Sequence, residues 1–239
     1  MLFRLALLAT LALRLSAAEV RVFAAASLTD ALNEIAAGYE RASGDRIVFN
    51  FGASSTLARQ IQEGAPADLF LSADEEKVNA LARRGLIAAR TSVLSNTLVI
   101  VVPARGGKSV TAARELAALS SIALAEPSSV PAGIYAKQYL TAQKVWAQLA
   151  PKVVPTDNVR SALAAVASGN VDAAIVYKTD ALLSKAVRVA YEVKNGPPIS
   201  YPFAVLKEAE EPVAARKFFA HLRSNAARAV FAKHGFIVR

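Results

Sequence analysis

The sequence contains no cysteine. That absence excludes disulfides, a lipid-anchored cysteine, thiolate metal sites and cysteine nucleophiles together. A chain of 239 residues, 54% of them hydrophobic, holds enough core to fold without disulfides even when secreted. Histidine is nearly absent too. His221 and His234 both fall in a carboxy-terminal stretch that reads as helical, where a solvated face is their ordinary place. A serine hydrolase needs a base beside its nucleophile. Gly52-Ala53-Ser54-Ser55 has none in sequence and departs from the G-x-S-x-G elbow. There is no G-x-G-x-x-G pattern, no Walker A pattern and no metal-ligand spacing. Most hydrolytic and redox chemistry therefore lacks residues to carry it, and no catalytic residue is assigned.

Other absences narrow the partners. The formal net charge is +9, yet basic and acidic residues are interleaved, as in Asp74-Glu75-Glu76-Lys77 and from Glu208 to Arg216. No basic block with interleaved aromatics occurs, which argues against nucleic acid. A positive field does raise the encounter rate with small anions. No segment is polar enough to read as disordered. One apolar run stands out. Met1-Leu2-Phe3-Arg4 is a short basic start, Leu5 to Leu13 is apolar apart from Thr10, and Ser16-Ala17-Ala18 offers small residues for cleavage. This is the three-part pattern of a secretory signal over residues 1–18. The run is about half of the ~20 residues that span a bilayer. Removing Arg4 and Arg14 with the signal leaves +7. Val93 to Val102 is interrupted by Ser95, Asn96 and Thr97, so no second run is long enough to cross a membrane. The mature protein is expected in the periplasm, not spanning the membrane.

What is present is an alternation of short β-type runs and helical stretches. Val20 to Ala25, Arg46 to Phe51, Asp68 to Ser72, Leu98 to Val102, Ser121 to Ala125, Val171 to Tyr177 and Ser200 to Leu206 read as strands. Leu28, Leu32, Ile35, Ala36 and Tyr39 share one helical face, closed by Gly44. Further helices are expected over Thr56 to Gln62, Asp74 to Arg84 and Ala112 to Leu119. Others run from Pro131, over Asn158 to Ser168 with Asp157 as cap, and as one or two helices from Val213 to Lys233. Such alternation implies an α/β class with parallel sheets covered on both faces. Breakers near residues 96–103 and 197–206 permit two crossings between lobes. Lobe I is then residues 19–98 and 202–239, and lobe II residues 99–201.

Four strand-to-helix junctions carry small or hydroxyl residues: Ala24 to Asp30, Gly52 to Leu57, Ser128 to Gly133 and Thr156 to Arg160. A helix start presents unpaired N–H groups and the positive end of a dipole, a ready anion site. Ligands of open α/β sheets sit at the carboxyl ends of strands. Ser, Thr and Asp also cap helices everywhere. The residues alone thus reach an exported α/β scaffold that binds an oxyanion or another small ligand.

The chain also resembles the periplasmic molybdate-binding proteins of ABC-type importers. The likeness is carried by VFAAASLTDAL (22–32), FGASSTLARQIQEGAPADLFLSAD (51–74), NTLVIVVP (96–103), VPAGIYAKQYL (130–140), TDNVRSALAAVASG (156–169) and IVYKTDA (175–181). It implies a two-lobed type II periplasmic binding protein fold. Each lobe is a central sheet flanked by helices, with the ligand in the interlobe cleft. It implies five ligand residues. Ser27 and Ser54 would bind through hydroxyl and N–H, Ala132 and Val159 through the N–H, and Tyr177 through its phenol. Ser55 competes with Ser54 for that role. No Lys or Arg is in the set, which suits a fully deprotonated dianion met by donors alone. Sulfate would be too small to reach every donor, and tungstate is nearly isosteric with molybdate. The expected partners are molybdate or tungstate and a membrane permease. The protein is expected to be a monomer, without a cofactor and without direct side-chain coordination of the metal. Gly52-Ala53 has fewer hydroxyls than other members can have there. A binder of sulfate or phosphate, or an enzyme on the same scaffold, is the alternative.

Overall fold

A computed structural model describes residues 17–239. The expected signal segment lies outside the described residues except for Ala17 and Ala18. The first half of the chain forms β1 (Glu19–Ala25), α1 (Thr29–Ser43), β2 (Arg46–Gly52), α2 (Ser54–Gln62), β3 (Leu69–Leu71), α3 (Glu75–Arg83), β4 (Ile87–Ser95), β5 (Leu98–Pro103) and β6 (Ile122–Ala125). It continues through α4 (Pro131–Ala142), α5 (Trp146–Leu149), β7 (Val153–Thr156), α6 (Val159–Ala167), β8 (Ala173–Tyr177) and α7 (Lys178–Ala181). The chain closes with β9 (Val187–Glu192), β10 (Tyr201–Leu206), α8 (Pro212–His221), α9 (Asn225–Lys233) and β11 (Ile237–Val238).

The expected helical face of α1 is the buried one: Ala31, Leu32, Ile35, Ala36 and Tyr39 pack inward. Full burial of a large aliphatic side chain contributes about 1.5–3 kcal/mol. Gly44 ends the helix with φ 79°, its N–H donating to the Glu40 carbonyl at 2.9 Å. The expected α-helix over Ala112 to Leu119 is instead a 3-10 run, Ala113–Ala118. Its buried residues, Ala113 and Leu116, are followed by buried Leu119, a spacing of three that matches the tighter helix. The carboxy-terminal stretch divides into α8 and α9 because Ser224 caps α9, accepting from the Ala227 N–H at 3.2 Å.

The strands form two sheets, ordered β11-β4-β10-β3-β1-β2 and β7-β6-β8-β5-β9. Only β2-β1-β3 and β7-β6-β8 are parallel, so the expectation of wholly parallel sheets is corrected. β10 runs against β3 and β4, and β5 against β8 and β9. The physical reason lies in how these strands arrive. The chain reaches β5 directly from the other sheet through Asn96 and Thr97, so β5 starts beside the end of β8, with Leu98 opposite Tyr177. β10 returns the same way, with Tyr201 opposite Leu94 near the end of β4. Leu98 consequently sits in the second sheet and Tyr201 in the first.

Candidate functional site

The parallel strands place their carboxyl ends side by side. Ala25 at the end of β1 pairs with Gly52 at the end of β2, and Ala125 of β6 pairs with Thr156 of β7. Each end leads to a helix: the 3-10 turn Ala26–Leu28 into α1, then α2, α4 after a five-residue loop, and α6. These openings converge on one small cavity, partly open to solvent. Ser27, Ser54, Ala132, Val159 and Tyr177 all line it. None of its lining side chains carries a charge.

The local physics of each residue differs. Ser27 and Ser54 are almost wholly buried. Neither caps a helix, since α1 and α2 begin after Leu28 and Ala53 without side-chain caps. The Ser27 hydroxyl instead lies 3.0 Å from the Tyr201 hydroxyl. The Ser54 Oγ accepts from the Ala73 N–H at 3.0 Å, which leaves its proton for another acceptor. Ala132 follows Pro131 in the first turn of α4, where an N–H has no intrahelical acceptor. Gly133 fixes that turn: a Cβ on it would stand 1.8 Å from the Ala125 carbonyl oxygen. Val159 opens α6. The cap there is Asn158 and not Asp157, with Oδ1 accepting from Arg160 N at 2.9 Å and Ser161 N at 3.1 Å. Asn158 has the extended backbone of a cap, one residue later than the sequence suggests. Ser55 lines a larger, more polar opening with Thr56, Glu126 and Asp157, outside the inner cavity.

Tyr177 decides the character of the cavity. Its side chain is buried, and its hydroxyl has no hydrogen-bond partner among the described residues. Burial, reinforced by Tyr201, pushes the phenol well above its ordinary pKa, so it is a donor at any physiological pH. A buried donor without an acceptor is costly unless a ligand supplies one. The cavity thus joins two serine hydroxyls, a phenol and free helix-start N–H groups, a set suited to accepting lone pairs. No group of three or more metal-ligating side chains occurs among the described residues.

Comparison with known proteins agrees with this architecture. Residues 20–237 match the family described as bacterial extracellular solute-binding protein. The chain belongs to that family. Among relatives, this solute-binding protein is 43% identical over 90% of its length to YvgL of Bacillus subtilis (strain 168), covering 85% of it. The name of YvgL places it with ABC transporter substrate-binding lipoproteins. It is 37% identical over 92% of its length to the molybdate-binding protein ModA of Escherichia coli (strain K12), covering 90% of that chain. Among solved structures, the periplasmic molybdate-binding protein of Azotobacter vinelandii superposes with a TM-score of 0.83 at 22% identity, over 92% of this chain and 99% of that one. That likeness establishes the two-sheet binding-protein fold. No helix among the described residues is long and apolar enough to cross a membrane.

In the solute-binding protein Arg160 follows the cavity-lining Val159 but does not itself line the cavity. Arg160, in the first turn of α6, is claimed by two carboxylates: its Nε contacts Asp180 in α7, and its Nη2 donates to Asp30 in α1 at 2.7 Å. The second contact ties the helix of one sheet to the helix of the other. Asp180 is fully buried, and burial pushes its carboxyl from an ordinary 3.8 up to about 6 while Arg160 pulls the other way. Sequence reading missed Arg160, Asp180, Asn158, Gly133 and Tyr201. Only the cap had a visible signal, a side-chain oxygen just before an apolar helical run.

Proposed function

We propose that the protein captures molybdate, or the nearly isosteric tungstate, in the periplasm and delivers it to the membrane permease of an ABC-type importer. It acts as a monomer, without a catalytic step and without a cofactor. The observation that carries this reading is the fully buried hydroxyl of Tyr177, without a partner among the described residues, in an uncharged cavity walled by Ser27, Ser54 and two helix starts. The named relatives that bind molybdate support the choice of anion. Residues 1–18 serve as the export signal. The two sheets act as two lobes joined by two strand-to-strand crossings. Their closure over the anion forms the surface that the permease reads. Each hydrogen bond to the charged ligand is worth about 1.5–3 kcal/mol net, so several together offset much of its dehydration.

Calorimetry of the mature protein with molybdate, tungstate, sulfate and phosphate tests the reading. Tight binding of the first two alone is expected. Saturable sulfate binding with no response to molybdate would overturn it. Ser27→Ala and Ser54→Ala are each expected to weaken molybdate binding by about 1–3 kcal/mol, as befits a lost buried partner. Unchanged affinity in both variants removes these residues from the ligand shell.

A further inference from the structure

The Ser27 hydroxyl is the end of a chain of buried hydrogen bonds that starts in the segment joining the two sheets. Asn96 lies in that segment, between β4 and β5. The Thr97 N–H, which can only donate, stands 2.9 Å from Asn96 Oδ1 and so fixes which way the side-chain amide faces. Asn96 Nδ2 then donates to Thr179 Oγ1 at 2.9 Å and to the Tyr201 hydroxyl oxygen at 3.3 Å. An amide nitrogen does not accept hydrogen bonds. The proton of the fully buried Tyr201 therefore has one acceptor among the described residues, the Ser27 Oγ at 3.0 Å. Burial, with the Asp180 charge nearby, keeps that phenol protonated.

The structure assigns to Asn96 and Tyr201 a one-way relay, in which Asn96 donates to Tyr201, Tyr201 donates to Ser27, and Ser27 is left with its proton directed at the bound oxyanion. Both are positioning residues, and the assignment rests on the proposed role of Ser27 in the anion shell. A serine held in this way already has a lone pair engaged. It meets a bare anionic oxygen better than a protonated one. The relay also links the anion to the crossing segment and, through Thr179, to the second sheet.

The test is a double-mutant cycle on molybdate affinity, with ligand-free melting temperatures as the folding control. Asn96→Asp replaces the donor by an acceptor of nearly the same shape. Tyr201 then donates backwards, and Ser27 turns its proton to Tyr201 instead of the anion. We expect a loss of about 100-fold in affinity, of which tenfold or more is coupling that disappears when Tyr201→Phe is already present. The plain repulsion between the new carboxylate and the anion persists in both backgrounds and cancels in the cycle. If Asn96→Asp does not fold, Tyr201→Phe replaces it in a cycle with Ser27→Ala. The relay requires Tyr201→Phe to weaken binding about fivefold in the wild type and to have no effect once Ser27 is alanine. Factors that multiply independently in the cycle overturn the relay alone. A wild type that takes up no oxyanion overturns the reading of the site and the relay with it.

Discussion

Gly133→Ala is expected to unseat the start of α4 and to abolish measurable molybdate binding. The new Cβ would lie 1.8 Å from the carbonyl oxygen of Ala125 and 2.8 Å from that of Glu126. Both are backbone atoms, the first closing the fully buried β6 and the second in the residue just after it. Relief requires the helix to move away from the strand, and Ala132 moves with it. Overpacking of this kind costs about 3 kcal/mol or more, which for a domain of this size is roughly 6–12 °C of melting temperature. Gly38→Ala is the matched control. It sits inside α1 with nothing within 4 Å of its Cβ position, so the same substitution should leave stability unchanged or raise it by about 0.5–1 kcal/mol. Thermal melts of both variants decide the matter. A Gly133→Ala protein that melts and binds like the wild type contradicts the close approach.

The second large effect is expected from Arg160→Ala. The substitution leaves Asp180 fully buried without its cation and removes the tie between α6 and α1 through Asp30. Breaking a buried pair from one side costs about 3–5 kcal/mol. Its pH dependence has a definite sign. Burial raises the folded-state pKa of Asp180 above its unfolded value, so the folded protein holds a proton that the unfolded chain has released. In the wild type this contribution is most favourable below about 3.8, declines as pH rises to about 6, and is then level. Without Arg160 the folded pKa moves higher still, and the decline continues beyond pH 6. The gap between wild type and variant should therefore be small at pH 5 and largest near pH 8, as urea unfolding at the two pH values will measure. A gap independent of pH would mean that Asp180 does not carry the effect.

The parts of the fold that bury whole strands were legible in the sequence. β6 and β8 are runs of Ile, Leu, Ala and Val between helical stretches, closed in β8 by Tyr177, and their burial follows from that composition. β4 was not legible, because Ala88, Ala89 and Arg90 are exposed and only its last three residues are buried. Its strand state comes from pairing with β10 and β11, which no local pattern encodes. β7 and β9 were missed for the same reason, both being mostly exposed or half-buried edge strands.

The convergence of Ser27, Ser54, Ala132, Val159 and Tyr177 on one cavity was legible only through family motifs, since helix starts with small residues are common everywhere. The support behind them was invisible. Tyr201 reads as an ordinary core aromatic until the antiparallel return of β10 sets its hydroxyl beside Ser27. Arg160 reads as a surface charge until α7 brings a buried carboxylate against it.

A cavity without a charged side chain has a consequence for how surroundings of varying salinity act on the protein. Mobile ions weaken forces between charges separated by about a Debye length, roughly 8 Å at physiological ionic strength, but scarcely reach dipoles in contact with a buried ligand. The surplus of Lys and Arg over Asp and Glu, 28 against 19, draws anions in from a distance and is open to that weakening. Salt therefore slows the arrival of the anion and leaves its residence time alone. In brine the binding site fills less quickly, yet holds what it has taken up for as long.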